Sequence, residues 1–184
     1  MELIIIGDSH VWAFKDHYKT LWIDKPTAHN IHKYEDVIYD NLVDGINLFL
    51  FGEIDCRIHF WYQHKKTNNY IMDLIFTTIK RYLDFLLKID KKIGVISISP
   101  PGNQLNIFNY PYYASYDQMK YIYNCFNTVL KIECMGYNIP FINYYQDVID
   151  DNLDRKKEFI ADDCHLNEKI IPFFKRRLNE KKFC

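Results

Sequence analysis

The sequence predicts an α/β protein, a three-layer α/β/α sandwich on a mostly parallel sheet. Short Ile- and Val-rich runs recur without polar alternation, each ends in a turn or a polar cluster, and stretches of helical periodicity separate them.

Residues 1–6 carry Leu3-Ile4-Ile5-Ile6, the pattern of a strand covered on both faces, and Gly7-Asp8 stops it. The same signal returns over 46–51, 93–98 and 139–142, ended by Gly52-Glu53, Pro100-Pro101-Gly102 and Asn143. Between the second and third runs, 70–89 sets Ile71, Leu74, Ile75, Ile79, Tyr82, Leu83 and Leu86 on one stripe of a helix. A second helix over 116–134 follows the third run, with Gly136 placed to end it. A last helix follows Asn167, with Pro172 near its start or kinking it. The alternation implies βαβ units. No linker, internal repeat or low-complexity block interrupts it, so 1–184 reads as a single domain.

Composition narrows the function. Hydrophobic residues are 48% and charged residues 26% of 184, which excludes a disordered chain, a collagen-like repeat or a small disulfide scaffold. Lys plus Arg is 23 against 24 for Asp plus Glu, and Lys175-Arg176-Arg177 with Lys181-Lys182 reads as a solvated helix face. A nucleic-acid partner is therefore not expected. No run approaches the ~20 apolar residues of a membrane span, and residues 3–6 are too short for a secretory segment. Five cysteines without C-x-x-C spacing point to reduced thiols and an intracellular, cytoplasmic setting. The 15 Tyr and 13 Phe follow an AT-rich base composition as readily as function, and carry weight only by position.

In a parallel sheet the active site lies beyond the carboxyl ends of the strands. The chain concentrates Ser, His, Asp, Glu and Arg at three such places: Gly7-Asp8-Ser9-His10, the stretch from Gly52 to His59, and Asp162-Asp163-Cys164-His165-Leu166-Asn167. A serine hydroxyl needs a general base within reach and a third group to orient that base. Ser9 alone of four serines follows a strand-end glycine, His165 is the candidate base, and Asp162 is the candidate group on its other ring nitrogen. The plain structural alternative makes Asp8 and Ser9 helix caps and Asp162 to His165 a capped turn. The joint occurrence of all three groups favours catalysis.

These blocks resemble those of the SGNH, or GDSL, hydrolases and acyltransferases. Gly7-Asp8-Ser9 matches the first block, and Asp162-Asp163-Cys164-His165 matches the last, with Leu166-Asn167 after it. The resemblance implies a flavodoxin-like sheet and a Ser9, His165, Asp162 triad. It also implies a serine-dependent acyl-ester hydrolase or O-acetyltransferase acting on a carbohydrate or glycan precursor. Hydrolysis needs no cofactor; transfer would need an acetyl donor such as acetyl-CoA. The sequence leaves oligomeric state open.

One departure stands out. The family's third block is Gly-x-Asn-Asp, whose Asn donates to the oxyanion, and Gly52-Glu53-Ile54-Asp55 puts an isoleucine there. The expected oxyanion donors are then the backbone N–H groups of Ser9, Gly52 and Ala28, helped by Arg57 or His59. The longer string Gly52 to Arg57 looks like a variant third block of SGNH-like proteins near glycan synthesis. The departure keeps open a second reading, a catalytically weakened module that binds a glycan or nucleotide sugar.

Asp8, His10, Glu53, Asp55, Arg57, His59 and Tyr112 are the candidate substrate-binding residues. Asp8 also reads as a brace of the turn, and His10 as the pocket floor. Glu53, Asp55 and Arg57 read equally as a buried ion-pair network. Over 103–116, Tyr110, Tyr112 and Tyr113 read as a flap whose rings stack on sugars, against the alternative of an exposed loop. No carboxylate completes a site with His29 and His32 or with His59 and His64, so no metal is expected. Cys164, beside His165 in an extended loop, is expected to point away from it.

Overall fold

A computed structural model describes residues 2–102 and 111–183. Five parallel strands run in the order β2-β1-β3-β4-β5. They are β1 (Leu3–Gly7), β2 (Lys19–Trp22), β3 (Ile46–Leu50), β4 (Lys92–Ile96) and β5 (Phe141–Ile142). The longer helices are α2 (Phe60–Thr67), α3 (Ile71–Leu86), α4 (Tyr116–Gly136) and α6 (Ile171–Asn179), with single turns at α1 (Glu35–Tyr39) and α5 (Tyr145–Val148).

The predicted strands lie where the apolar runs placed them. β1 and β3 are buried almost throughout, because helices cover both faces. The one polar residue within β3, Asn47, is fully buried and spends its amide on backbone. Its Oδ1 accepts from Val43 N at 2.9 Å and its Nδ2 donates to Val43 O at 3.0 Å, closing the turn into the strand. Asn127 of α4 likewise accepts from Ile98 N at 2.9 Å, fixing the segment that leaves β4.

The strand β2 has no counterpart among the predicted runs. It is a four-residue edge strand with no buried position, so it carries no apolar run to read. Its pairing with β1 on one side, and of β3 with β1 on the other, reverses the strand order at β1. That reversal opens a crevice beyond the ends of β1 and β3. The motif-bearing segments at Gly7 and Gly52 both leave the sheet there.

Gly136 is the last residue of α4 but not its left-handed cap: Asn138 takes that conformation, φ 57°. Asn138 N donates to Met135 O at 3.2 Å and Ile139 N to Cys134 O at 2.8 Å, the two bonds of a Schellman cap. Pro172 sits in the first turn of α6, as expected from its missing N–H. The buried apolar side chains form one contiguous core around the sheet. Among the described residues no helix is long and apolar enough to cross a membrane.

Asn138 gives a direct test of this cap. Asn138→Ala should lower stability by about 1 kcal/mol, because a Cβ-bearing residue without a local side-chain bond resists φ > 0, while Asn138→Gly should be neutral or stabilising. Urea denaturation of the two variants checks the sign; equal losses in both would remove the left-handed cap as the cause.

Candidate active site

The Ser9 turn is built by its neighbours. After Gly7 the chain enters a 3₁₀ helix (Ser9–Phe14) whose N-cap is Asp8. Asp8 Oδ1 accepts from His10 N at 2.9 Å and lies 2.9 Å from His10 Nδ1. Ser9 is therefore not the capping residue. Its hydroxyl is left facing outward, half-buried.

The second component arrives from 156 residues away. His165 Nε2 lies 2.8 Å from Ser9 Oγ. On the other side of the ring, Nδ1 lies 2.9 Å from Asp162 Oδ2 and 3.1 Å from Oδ1. Asp162 Oδ1 also accepts from the backbone N–H groups of Cys164 and His165, both at 2.7 Å. Slight burial opposes the charged form, but those two amides and the imidazole prevail and hold the Asp162 carboxyl down at about 2. Ser9, His165 and Asp162 thus form one continuous hydrogen-bonded chain.

Arg155, which sequence reasoning missed, holds the loop in place. Its buried guanidinium donates to Cys164 O at 3.0 Å, His165 O at 3.3 Å and Asp163 O at 3.0 Å. Gly102 lets this loop approach, since a Cβ there would run into the Asp163 carbonyl and the Arg155 guanidinium. A lone arginine seven residues before Asp162 gave no signal of this role.

Trp12 and Trp22 were also missed. Trp12 lies 5.3 Å from the His165 ring, centroid to centroid, and packs edge-on against Trp22 at 5.4 Å. They are 45% and 49% exposed, so they present aromatic surface beside the serine. With three tryptophans in the chain, one of them three residues after Ser9, the signal was present but weak.

Several expected roles need correction. The Ala28 N–H is not free for an oxyanion: it donates to Asp55 Oδ2 at 2.7 Å, because a buried carboxyl must find donors. Arg57 is held by Glu53, with Nε to Oε1 at 2.8 Å and Nη2 to Oε2 at 3.1 Å. That bidentate pair makes Arg57 a scaffold, while its buried Nη1 has no hydrogen-bond partner among the described residues. Asp8, His10 and Glu53 are buried below the pocket and brace it, instead of facing substrate. Tyr123 Oη donates to Glu53 Oε1 at 2.7 Å. Burial alone would lower the His10 pKa, yet the carboxylates of Asp8 and Glu53 hold it well above its ordinary value. Cys164 does not point away: its Sγ is buried, 3.9 Å from both His10 Nε2 and Glu53 Oε1.

Gly52 (φ 119°) follows β3 with its Cα packed against the Phe126 ring. Ile54, at the position expected to hold the oxyanion Asn, begins the turn into a π-type segment (Asp55–His59) that leads into α2. Tyr112 is half exposed and takes no part in the Ser9 cluster; Tyr110 lies outside the described residues.

Beyond Asp55 opens a cleft of about 420 Å³ lined by Thr27, His29, Asn30, Asp55, His59 and Gln63, among others. Ser9 and His165 are not in its wall; Asp55, which feels the charge of Asp8, links the two. Burial raises the Asp55 carboxyl to about 7, against the amides of Ala28 and His29 that favour its ionised form. Burial lowers the pKa of both His29 and His59, and nearby Arg81 lowers His29 further. At neutral pH the two imidazoles of the cleft are thus neutral and Asp55 is about half ionised.

Comparison with solved structures follows this geometry. A GDSL-like lipase from Bacteroides thetaiotaomicron is 16% identical, over 97% of this chain and 86% of that one, at TM-score 0.67. The native aryl esterase of M. smegmatis is 13% identical over 98% and 97%, at TM-score 0.61. An acetyl xylan esterase is 13% identical over 98% of each chain, at TM-score 0.58. The fold is that of the SGNH, or GDSL-like, hydrolases. No family model and no curated protein matches the sequence. Within the SGNH fold, the described Ser9 turn and the Asp162–His165 loop occupy the crevice where the strand order reverses.

Two predictions test the site's physical basis. Arg155→Met removes three charge-assisted bonds and leaves the carbonyls of 163–165 without them, so stability should fall by about 2–4 kcal/mol in urea titration. A wild-type midpoint would show that other contacts hold the loop.

The second concerns Asp55. The folded protein keeps a proton that the unfolded chain gives up near its ordinary value of about 4. Asp55 therefore weakens the fold progressively as pH rises from there to about 7, and by a constant amount above. Asp55→Asn keeps an oxygen for Ala28 N–H and should flatten the fall in melting temperature between pH 5 and pH 8. An unchanged pH profile would show that another group sets it.

Proposed function

We propose that the protein is a serine-dependent acyl-ester hydrolase whose substrate is an acylated carbohydrate. The observation that carries this is the unbroken chain from Ser9 Oγ through His165 Nε2 and Nδ1 to Asp162 Oδ2, with separations of 2.8 and 2.9 Å. Ser9 attacks the acyl carbonyl while His165 Nε2 takes its proton, and Asp162 holds the Nδ1–H tautomer and the imidazolium that forms. The same imidazolium returns the proton to the departing sugar hydroxyl, leaving an acyl-Ser9 ester. Water, activated by His165, releases the acid. A second sugar hydroxyl in place of water makes the reaction an O-acyl transfer from one sugar to another; were Ser9 acetylated by a donor such as acetyl-CoA instead, the CoA thiol would leave in place of the first sugar hydroxyl.

Backbone N–H groups of Ser9 and Gly52 face the forming oxyanion in this reading. Losing one side-chain donor lowers rate by about 10²–10³, so Ile54 implies slow turnover. The carbohydrate assignment is supported by the polar cleft around His29, Asn30 and Gln63, and by the aromatic surface of Trp12 and Trp22. The likeness to a protein described as an acetyl xylan esterase points the same way. Free thiols at Cys56, Cys125, Cys134 and Cys164 suit a reducing, intracellular compartment.

A second reading is favoured by one observation. With Ala28 N–H spent on Asp55 and Ile54 unable to donate, the oxyanion site is sparse, which fits a glycan-binding module that has lost most of its rate.

A fluorophosphonate probe separates the two. It should label the wild type at Ser9, and Ser9→Ala should abolish labelling and cut p-nitrophenyl acetate hydrolysis by at least ~10⁴-fold with little change in melting temperature, since Asp8 is the cap. Turnover retained by a folded Ser9→Ala would end the serine mechanism. Absence of labelling in the wild type would favour the binding module.

A further inference from the structure

Behind Ser9, His165 converges with two side chains that ester hydrolysis does not use, His10 and Cys164. His10 has its Nδ1 on Asp8 Oδ1 at 2.9 Å, which directs Nε2 toward Cys164, with the carbonyl oxygen of that residue at 3.4 Å and its Sγ at 3.9 Å. His165 is set in the same way, with Nδ1 on Asp162 and Nε2 toward Ser9. A ring nitrogen of each histidine and the Cys164 sulfur all lie within 4.8 Å of one another.

An imidazole fixed at one nitrogen by a carboxylate is how proteins aim the other nitrogen at a metal ion, and this pocket has two. Two imidazoles and a thiolate suit zinc better than magnesium or calcium, which prefer oxygen. With Zn–N about 2.0 Å and Zn–S about 2.3 Å, tetrahedral N and S ligands stand roughly 3.5 Å apart, so the observed 3.9 Å needs only a small closure. The nearby Asp8, His10, Glu53 grouping is the poorer site, because Arg57 and Tyr123 occupy Glu53.

We propose that His10 Nε2, Cys164 Sγ and His165 Nε2 bind a thiophilic divalent cation of the zinc class, and that the bound cation inhibits the enzyme reversibly. Binding releases the Cys164 thiol proton, and the proton on His10 Nε2, to solvent. The thiolate, with Asp8 and Glu53 close by, balances the added charge. The His165 Nε2 lone pair then belongs to the metal and cannot take the Ser9 proton. Ser9 Oγ, beside that nitrogen, stands where a fourth ligand would. The inhibition rests on the serine mechanism proposed above; the binding does not.

The experiment has two arms on the full chain. In the first, Zn²⁺ set by a metal buffer is titrated against p-nitrophenyl acetate hydrolysis. Activity should fall, return on adding EDTA, and need more than about tenfold higher Zn²⁺ in Cys164→Ala, each protein being compared with its own zinc-free rate. In the second, Co²⁺ is added to wild type, to Ser9→Ala and to Cys164→Ala. A near-ultraviolet thiolate-to-cobalt absorption should appear in the first two and vanish in the third. The second arm reads binding even if Ser9 proves not to be the nucleophile. Cys164→Ser repeats both comparisons with a side chain that fills the same space. Equal zinc sensitivity with and without the thiol, activation by zinc, or a cobalt band that survives in the Cys164 variants would overturn the proposal.

Discussion

A buried chain of alternating charge, Asp8–His10–Glu53–Arg57, underlies the arrangement at the crevice. It joins the end of β1 to the segment after β3, and Tyr123 ties α4 into it. Each of these ions taken alone would cost several kcal/mol to bury. In sequence they offset one another, with a carboxylate beside each cation, so the network holds together only if all members stay in register. Asp8 does two things within it. It caps the 3₁₀ helix through His10 N and anchors the His10 ring, and the hydroxyl of the intervening Ser9 is thereby turned away from the core. The orientation of Ser9 is a by-product of neutralising the charge beneath it.

The opposite wall is held by a different device. Asp162 to His165 is a short loop in which only Cys164 is buried, so hydrophobic packing does little to define it. Hydrogen bonds do. Asp162 Oδ1 gathers two backbone N–H groups from residues two and three positions on, while the same carboxylate takes the His165 ring. Arg155 collects the carbonyls that face the other way. The capped-turn reading and the catalytic reading of Asp-x-x-His are therefore not rivals: the turn that caps is what puts Nε2 at Ser9.

What could be read from the sequence follows the range of the forces involved. Buried strands announce themselves because coverage on both faces demands an unbroken apolar run, and β1, β3 and β4 obey. Ser9, Asp162 and His165 were legible because their roles are local in residue type and lie at strand or helix ends. The edge strand β2 was not legible, since it buries nothing. The claim of Asp55 on the Ala28 amide joins residues 27 apart, and the inward turn of Cys164 brings its thiol to His10, 154 residues away in the chain. Arg155 and the Trp12–Trp22 pair belong to the same class. Their roles arise only when distant segments meet, and no short pattern encodes them.

The same division bears on what the site can do. Asp162, His165 and Ser9 are held at hydrogen-bond separations, so under the proposed serine mechanism proton transfer is provided for. Charge stabilisation on the carbonyl oxygen is not provided to the same degree, because Ile54 donates nothing and Ala28 is committed to Asp55. Positioning and electrostatic stabilisation are separate contributions to a barrier, and only the second is reduced here. Under the proposed mechanism such a site would attack a carbonyl with a costlier oxyanion. It would then depend on binding energy from the rest of the substrate, and the polar cleft and the two exposed tryptophans are the surfaces that reading assigns to it.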